Sequence, residues 1–169
     1  GLILAFFNRY ATHARSRRRA LEAAGKKPFV ERDGLLFTRE PITVMASPDG
    51  IRWERFGRID LPGWQWPPAV RGNMLYAQDG SILLSVYTAP AGRGSARGGE
   101  RTQSLLIRSC DSGRTWEFVS AIACHADPAV GFGETFLYRT ASGRLIAFLR
   151  SSGAGGNIHT AVSEDDGRT

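Results

Sequence analysis

Ser109-Cys110-Asp111-Ser112-Gly113-Arg114-Thr115-Trp116 is written a second time as Ser163-Glu164-Asp165-Asp166-Gly167-Arg168-Thr169, and once, one residue shorter, as Ser47-Pro48-Asp49-Gly50-Ile51-Arg52-Trp53. The three phrases begin 62 and then 54 residues apart, so the chain reads as an array of similar units. Each phrase has the chemistry of a tight turn. A Ser or Asp oxygen accepts backbone N–H groups a few residues on, and Gly supplies a positive φ without steric cost. The Trp is expected to anchor the turn against the sheet it leaves. The third phrase stops at Thr169, where a Trp is due, so the array is expected to continue past it.

Aligned on these turns, the units share a second register upstream. Gly1-Leu2-Ile3-Leu4-Ala5-Phe6-Phe7-Asn8, Gly80-Ser81-Ile82-Leu83-Leu84-Ser85-Val86-Tyr87 and Gly143-Arg144-Leu145-Ile146-Ala147-Phe148-Leu149-Arg150 are each a Gly followed by an apolar run of strand length. Two of these are preceded by further strand-like segments, residues 72–77 and 134–139, and a strand flanks each turn phrase on its N-terminal side. Four short antiparallel strands in a unit of about 50 to 60 residues is the signature of a β-propeller blade. The fold class expected is therefore all-β: part of a six-bladed propeller, about 2.5 blades, divided as residues 1–60, 61–124 and 125–169. Such an arc leaves two sheet faces bare and is not expected to be stable or active alone.

The links between second and third strands differ in length. Residues 9–39 read as a long insertion with a helix over 11–24 stopped by Gly25, residues 89–103 as a Gly- and Arg-rich loop, and 151–156 as a short one. In a propeller these loops surround the mouth of the central channel, with the turn phrases on the far face. Variable loops on a rigid scaffold are where ligand choice resides.

Bulk properties exclude several classes. Hydrophobic residues make up 42% of the chain, ample for a folded core, and no apolar run approaches the roughly 18 residues of a membrane span. The net charge of +6 comes from 20 Arg against 2 Lys, and the run Arg15-Ser16-Arg17-Arg18-Arg19 reads as a solvated segment, not a nucleic-acid surface. Cys110 and Cys124 make no disulfide framework, and His13, His125 and His159 have no ligand spacing. Glu164-Asp165-Asp166-Gly167 is a turn by register, not a calcium loop, and Gly92–Gly99 lacks the strand-to-helix context of a phosphate cradle. No metal and no cofactor is expected.

The turn phrases resemble the Asp boxes of the bacterial neuraminidase repeat proteins. The segment from Glu134-Thr135-Phe136-Leu137 to Arg150, followed by such a box, is similar to six-bladed sialidases. Blades two to four are the part that matches. Glu134 and Arg150 stand at one end of two antiparallel strands joined by a Gly turn, which brings both toward the mouth. The resemblance implies a role for each. Glu134 would accept the proton of a Tyr nucleophile, since a phenol of pKa about 10 needs a base near neutral pH. Arg150 would be one of three arginines that hold a substrate carboxylate by bidentate bonds. The bland alternative is a structural salt bridge between the two. In the same register Arg71 matches Glu134 and Tyr87 matches Arg150, as substrate-binding candidates. Arg9, Tyr10, His13, Trp64 and Trp66 are weaker ones, the Trp pair suited as well to packing between blades.

The resemblance further implies an exo-sialidase-like glycoside hydrolase with a glycan or glycoconjugate as partner, in a secreted or periplasmic setting. Its acid/base Asp, Tyr nucleophile and other arginines would lie outside residues 1–169. Two alternatives remain open: a non-catalytic propeller that binds glycans or scaffolds an assembly, and a propeller hydrolase for a different sugar.

Overall fold

The computed structural model describes residues 2–24, 30–33, 35–64, 68–89, 102–127, 129–153 and 155–169. Three antiparallel sheets follow one another in chain order. The first holds β1 (Ile3–Ala14), β2 (Val30–Arg32), β3 (Leu35–Ser47) and β4 (Glu54–Ile59), with β3 paired to the other three. The second runs β5 (Met74–Tyr76), β6 (Ile82–Thr88), β7 (Gln103–Ser109) and β8 (Glu117–Ala123) in sequential order. The third is β9 (Gly131–Arg139), β10 (Leu145–Ser152) and β11 (Ile158–Ser163). This is the meander of adjacent propeller blades, and the fold is part of a β-propeller.

The middle sheet is apolar on both faces because a sheet covers each. Leu84 and Val86 of β6 with Leu105 and Ile107 of β7 pack onto Ile42, Val44 and Ile59 of the first sheet. Their alternating neighbours Leu83 and Leu106 pack onto Phe132, Leu137, Leu145, Ala147 and Leu149 of the third. Each such side chain, fully buried, contributes about 1.5–3 kcal/mol relative to exposure. The far face of the third sheet stays open, with Phe136, Tyr138, Phe148, Ile158 and Val162 exposed.

The turn phrases fold as their residues dictate. Ser109 Oγ donates to Asp111 Oδ1 (2.8 Å) and accepts from Gly113 N (2.7 Å). Asp111 accepts from the N–H of Arg114 (3.0 Å) and from the N–H and hydroxyl of Thr115 (2.9 and 2.6 Å). The turn at Ser163 repeats this pattern through Asp165 and Thr169. These bonds hold both carboxyls at about 2, the Thr115 hydroxyl being the largest cause at Asp111 and the Thr169 N–H at Asp165. The extra residue of the longer phrases sits between Asp and Gly in the left-handed region, Ser112 at φ 62° and Asp166 at φ 57°.

Two expectations need correction. The Trp reaches beyond the sheet it leaves, packing on a core that two sheets share. Trp116 meets Phe6 of the preceding sheet edge-on at 5.7 Å between ring centroids, while its indole N–H donates to Gly113 O. Arg114 stacks on Phe56 of that same sheet at 4.3 Å, and Gly167 closes against Leu106 in the same sense one sheet on. The turns are thus rivets between neighbouring sheets. The residue 9–39 insertion is likewise not a loop with a long helix. β1 and β3 stay paired out to Ala14↔Leu35, and helix begins only after a 3-10 turn (Arg15–Arg17), as α1 (Arg18–Ala23). Cross-strand pairing overrides the helix propensity of residues 11–14. Gly25, the expected stop, lies outside the described residues.

Candidate functional site

At the end of the sheets away from the turn phrases, β9 and β10 fall out of step. Phe148 pairs with Phe136, but Arg150 pairs with Gly133, so Leu149 faces two residues, Glu134 and Thr135. This is a β-bulge, a device that re-aims a side chain and frees backbone groups from the ladder. Glu134 within it has φ +49°. The other non-glycine residues with positive φ among those described, Asp33, Ser112 and Asp166, all sit in turns. A left-handed residue with a full side chain costs roughly 1–2 kcal/mol. Glu gains no local hydrogen bond of the Asn or Asp kind to offset it.

The bulge directs the Glu134 carboxylate to Arg150, with Oε1 3.6 Å from the guanidinium. Both side chains are open to solvent, 43% exposed for Glu134 and 64% for Arg150. A long, exposed ion pair of this kind is worth about 0–1 kcal/mol. Its contribution to stability is smaller than the strain of the residue that supplies it. Chemically the two offer an accessible carboxylate base beside an accessible cation that binds carboxylates in bidentate fashion.

Tyr87 and Gly72, the residue after Arg71, lie against the same bulge. The half-buried Tyr87 ring rests on Gly133, so close that a Cβ there would stand 3.2 Å from the ring. Arg71 is exposed and precedes Gly72, whose Cα faces the Thr135 carbonyl with no room for a side chain. Tyr87 of the second sheet thus touches the strand segment that carries Glu134, and Arg71 stands one residue before a second contact to it. Of the weaker candidates, Trp64 and His13 lie elsewhere. Trp64 packs in the core between the first two sheets, with its ring 6.1 Å from that of Phe118. His13 lines a cavity on the first sheet with Glu40, Arg55 and Arg58. Arg9 and Tyr10 pair with Glu40 and Arg39 in the hairpin, and Trp66 and residues 92–99 lie outside the described residues.

The acidic run near the C-terminus is structural. Asp165 caps its turn, Asp166 pairs with Arg139 at 2.5 Å and accepts from Gln78 N at 3.0 Å, and Glu164 pairs with Arg144 at 2.6 Å. His125 Nδ1 accepts from Asp127 N within a loop, and Cys110 and Cys124 are exposed free thiols. No helix among the described residues is long and apolar enough to cross a membrane. Sequence reasoning missed four polar side chains, Asn73, Ser85, Ser104 and Thr135, which join the second sheet to the bulge. Their only signal was a hydroxyl or amide inside otherwise apolar strand runs.

No protein-family model and no curated protein sequence matches the chain. Solved structures do. A protein of unknown function from Dyadobacter fermentans aligns with 100% of this chain and 46% of its own, at 28% identity and TM-score 0.75. An α-L-arabinanase of Penicillium chrysogenum, solved with arabinobiose, aligns at 21% identity and TM-score 0.58 over 78% of this chain and 42% of its own. A Hadza microbial sialidase aligns at 20% identity and TM-score 0.56 over 84% of this chain and 25% of its own. The chain thus spans less than half the length of these proteins. At such identities the likeness to the two glycosidases is one of fold.

Proposed function

We propose that this chain is part of a propeller glycoside hydrolase that cleaves a terminal acidic sugar, sialic acid or a related one, from glycans. The observation that carries the reading is the bulge. A strained, exposed Glu134 is held beside Arg150 where the ion pair adds little to stability, and strain of this sort clusters at functional sites. Structural likeness to glycosidases of two sugar specificities supports the reaction class.

In this reading Glu134 takes the proton from a Tyr hydroxyl elsewhere in the propeller as the phenol oxygen attacks the anomeric carbon. A carboxylic acid elsewhere protonates the departing glycosidic oxygen, and as a carboxylate it then takes a proton from the water that displaces Tyr from the resulting aryl glycoside, Glu134 returning its proton to the phenol oxygen. Arg150 binds the substrate carboxylate, with Arg71 and Tyr87 on its flank. A second reading, a propeller hydrolase for a neutral sugar, is favoured by the arabinan-degrading relative in fold. There Glu134 remains a carboxylate of the site and Arg150 orients it.

The test is an assay of the complete polypeptide on a fluorogenic sialoside and on an aryl arabinofuranoside. Glu134→Gln is expected to cost about 10²–10⁴ in kcat on whichever is cleaved. Full activity in that variant would end the assigned role. Cleavage of the arabinoside alone would replace the first reading by the second.

A further inference from the structure

The contact between the second and third sheets is apolar along most of its length, yet it turns polar beside Glu134. Asn73 holds the backbone of Leu137 at both ends: its Oδ1 accepts from Leu137 N at 2.8 Å and its Nδ2 donates to Leu137 O at 2.9 Å. Ser85 Oγ, buried, donates to Thr135 O at 2.8 Å. The hydroxyls of Ser104 and Thr135, also buried, share a hydrogen bond of 2.5 Å. Gly72 lets the Thr135 carbonyl approach closer than any side chain would permit. Every one of these contacts falls on residues 135–137, immediately after Glu134.

We infer that Asn73, Ser85, Ser104 and Gly72 form an interblade clamp that positions Glu134. The bulge takes the Thr135 carbonyl out of the β9–β10 ladder, and a buried carbonyl needs a donor. The Ser85 hydroxyl supplies it only when Thr135 is displaced toward the second sheet. With Thr135 and Leu137 fixed there and Gly133 fixed under Tyr87, residue 134 must span the gap, and the left-handed turn of its backbone does so. The four are positioning residues, acting through the backbone and not on substrate. Their purpose rests on the reading of Glu134 as a site carboxylate; the mechanical coupling does not.

A double-mutant cycle in the complete polypeptide tests the coupling. Glu134→Gly relieves a side chain at positive φ, so it is expected to raise the denaturation midpoint in the native background. In the Ser85→Ala/Thr135→Val background, where the segment is released, that rise is expected to vanish or change sign. An equal rise in both backgrounds, or no rise in the native one, overturns the clamp. Ser104→Ala alone replaces the double variant in the cycle if the latter does not fold. On the glycoside that the native protein cleaves, the same clamp variant is expected to lose at least tenfold in kcat with KM within twofold. Unchanged kcat would overturn the positioning role. If Glu134→Gln is fully active, the proposed function falls, while the stability cycle still decides the clamp by itself.

Discussion

The two ends of the same sheets treat their carboxylates in opposite ways. At the turn end, Asp111 and Asp165 each accept several short hydrogen bonds and sit at about 2, below the usual carboxylate range. At the other end, Glu134 has one long ionic contact and a strained backbone. A carboxylate saturated with donors is spent on structure, because its lone pairs are committed and its basicity is low. One that is accessible and lightly bonded keeps lone pairs open for another partner. The difference separates the two kinds of carboxylate more sharply than residue type does.

The largest expected effect breaks the comparison outright if it fails. Glu134→Gln should reduce turnover by the factor given above and change unfolding free energy by less than about 0.5 kcal/mol, as for a surface substitution. Asp111→Asn should do the reverse, leaving turnover within a few-fold and costing about 1 kcal/mol, the usual worth of a lost side-chain cap. Chemical denaturation and initial rates on the same two variants read both axes. If the two variants behave alike, the two ends are not functionally distinct.

Glycines offer the next contrast. Gly72→Ala would drive a Cβ into the Thr135 carbonyl and the Ser85 hydroxyl, both held in place. Gly80→Ala meets nothing within 4 Å and suffers only from its φ of +82°. Overpacking costs about 1–3 kcal/mol and at times more, so Gly72→Ala should be the more destabilising in denaturant titration. It should also lower kcat if the clamp sets Glu134. A Gly72→Ala protein as stable as Gly80→Ala would mean that the two sheets part easily at the site.

Acid separates the two ends more gently. Asp111 and Asp165 have folded values of about 2 against an ordinary 3.8. For a depressed carboxyl the stabilisation is present above the unfolded value and lost as pH falls through the folded one. Stability from the turns should therefore be complete above about pH 4 and decline between about 4 and 2. Denaturation midpoints measured across that range should fall more steeply for the native protein than for Asp111→Asn. Equal slopes would show that the turn carboxylates do not carry the acid response.

Much of the turn end was legible in the sequence, and much of the other end was not. The turns are local: Ser109, Asp111, Gly113 and Thr115 bond to one another within seven residues, so their pattern can be read from spacing alone. Strand order followed from the repeat. The bulge is held across the interface, where Asn73 and Ser85 bond to residues 64 and 50 positions later, which no local propensity encodes. One clue was available. Phe132 and Leu137 face the same core, yet they are five residues apart, an odd spacing that a regular strand with period two cannot satisfy. The helix expected from residue 11 failed for the related reason that pairing with β3 outweighs the preference of Ala and Arg for helix.

The smallest effect probes how the scaffold carboxylate acquires its character. Asp49, Asp111 and Asp165 occupy the same slot, but the shorter phrase has Arg52 where the others have Thr115 and Thr169. Asp49 accordingly accepts only from backbone N–H groups and Ser47 on the side of its turn, whereas Asp111 also accepts the Thr115 hydroxyl at 2.6 Å, the largest single cause of its depression. Thr115→Val removes that hydroxyl at nearly constant volume and leaves the backbone donor in place. The Asp111 carboxyl should then rise toward the ordinary range while staying below it, held by the N–H groups of Arg114 and Thr115. The cost to stability near neutral pH should be about 0.5–1 kcal/mol, that of one hydrogen bond at a solvent-open site. Carboxyl 13C shifts followed through an acid titration measure the first, and denaturant midpoints the second. An unchanged Asp111 titration would mean that backbone donors alone set the depression, and the long and short turns would then be electrostatically equivalent.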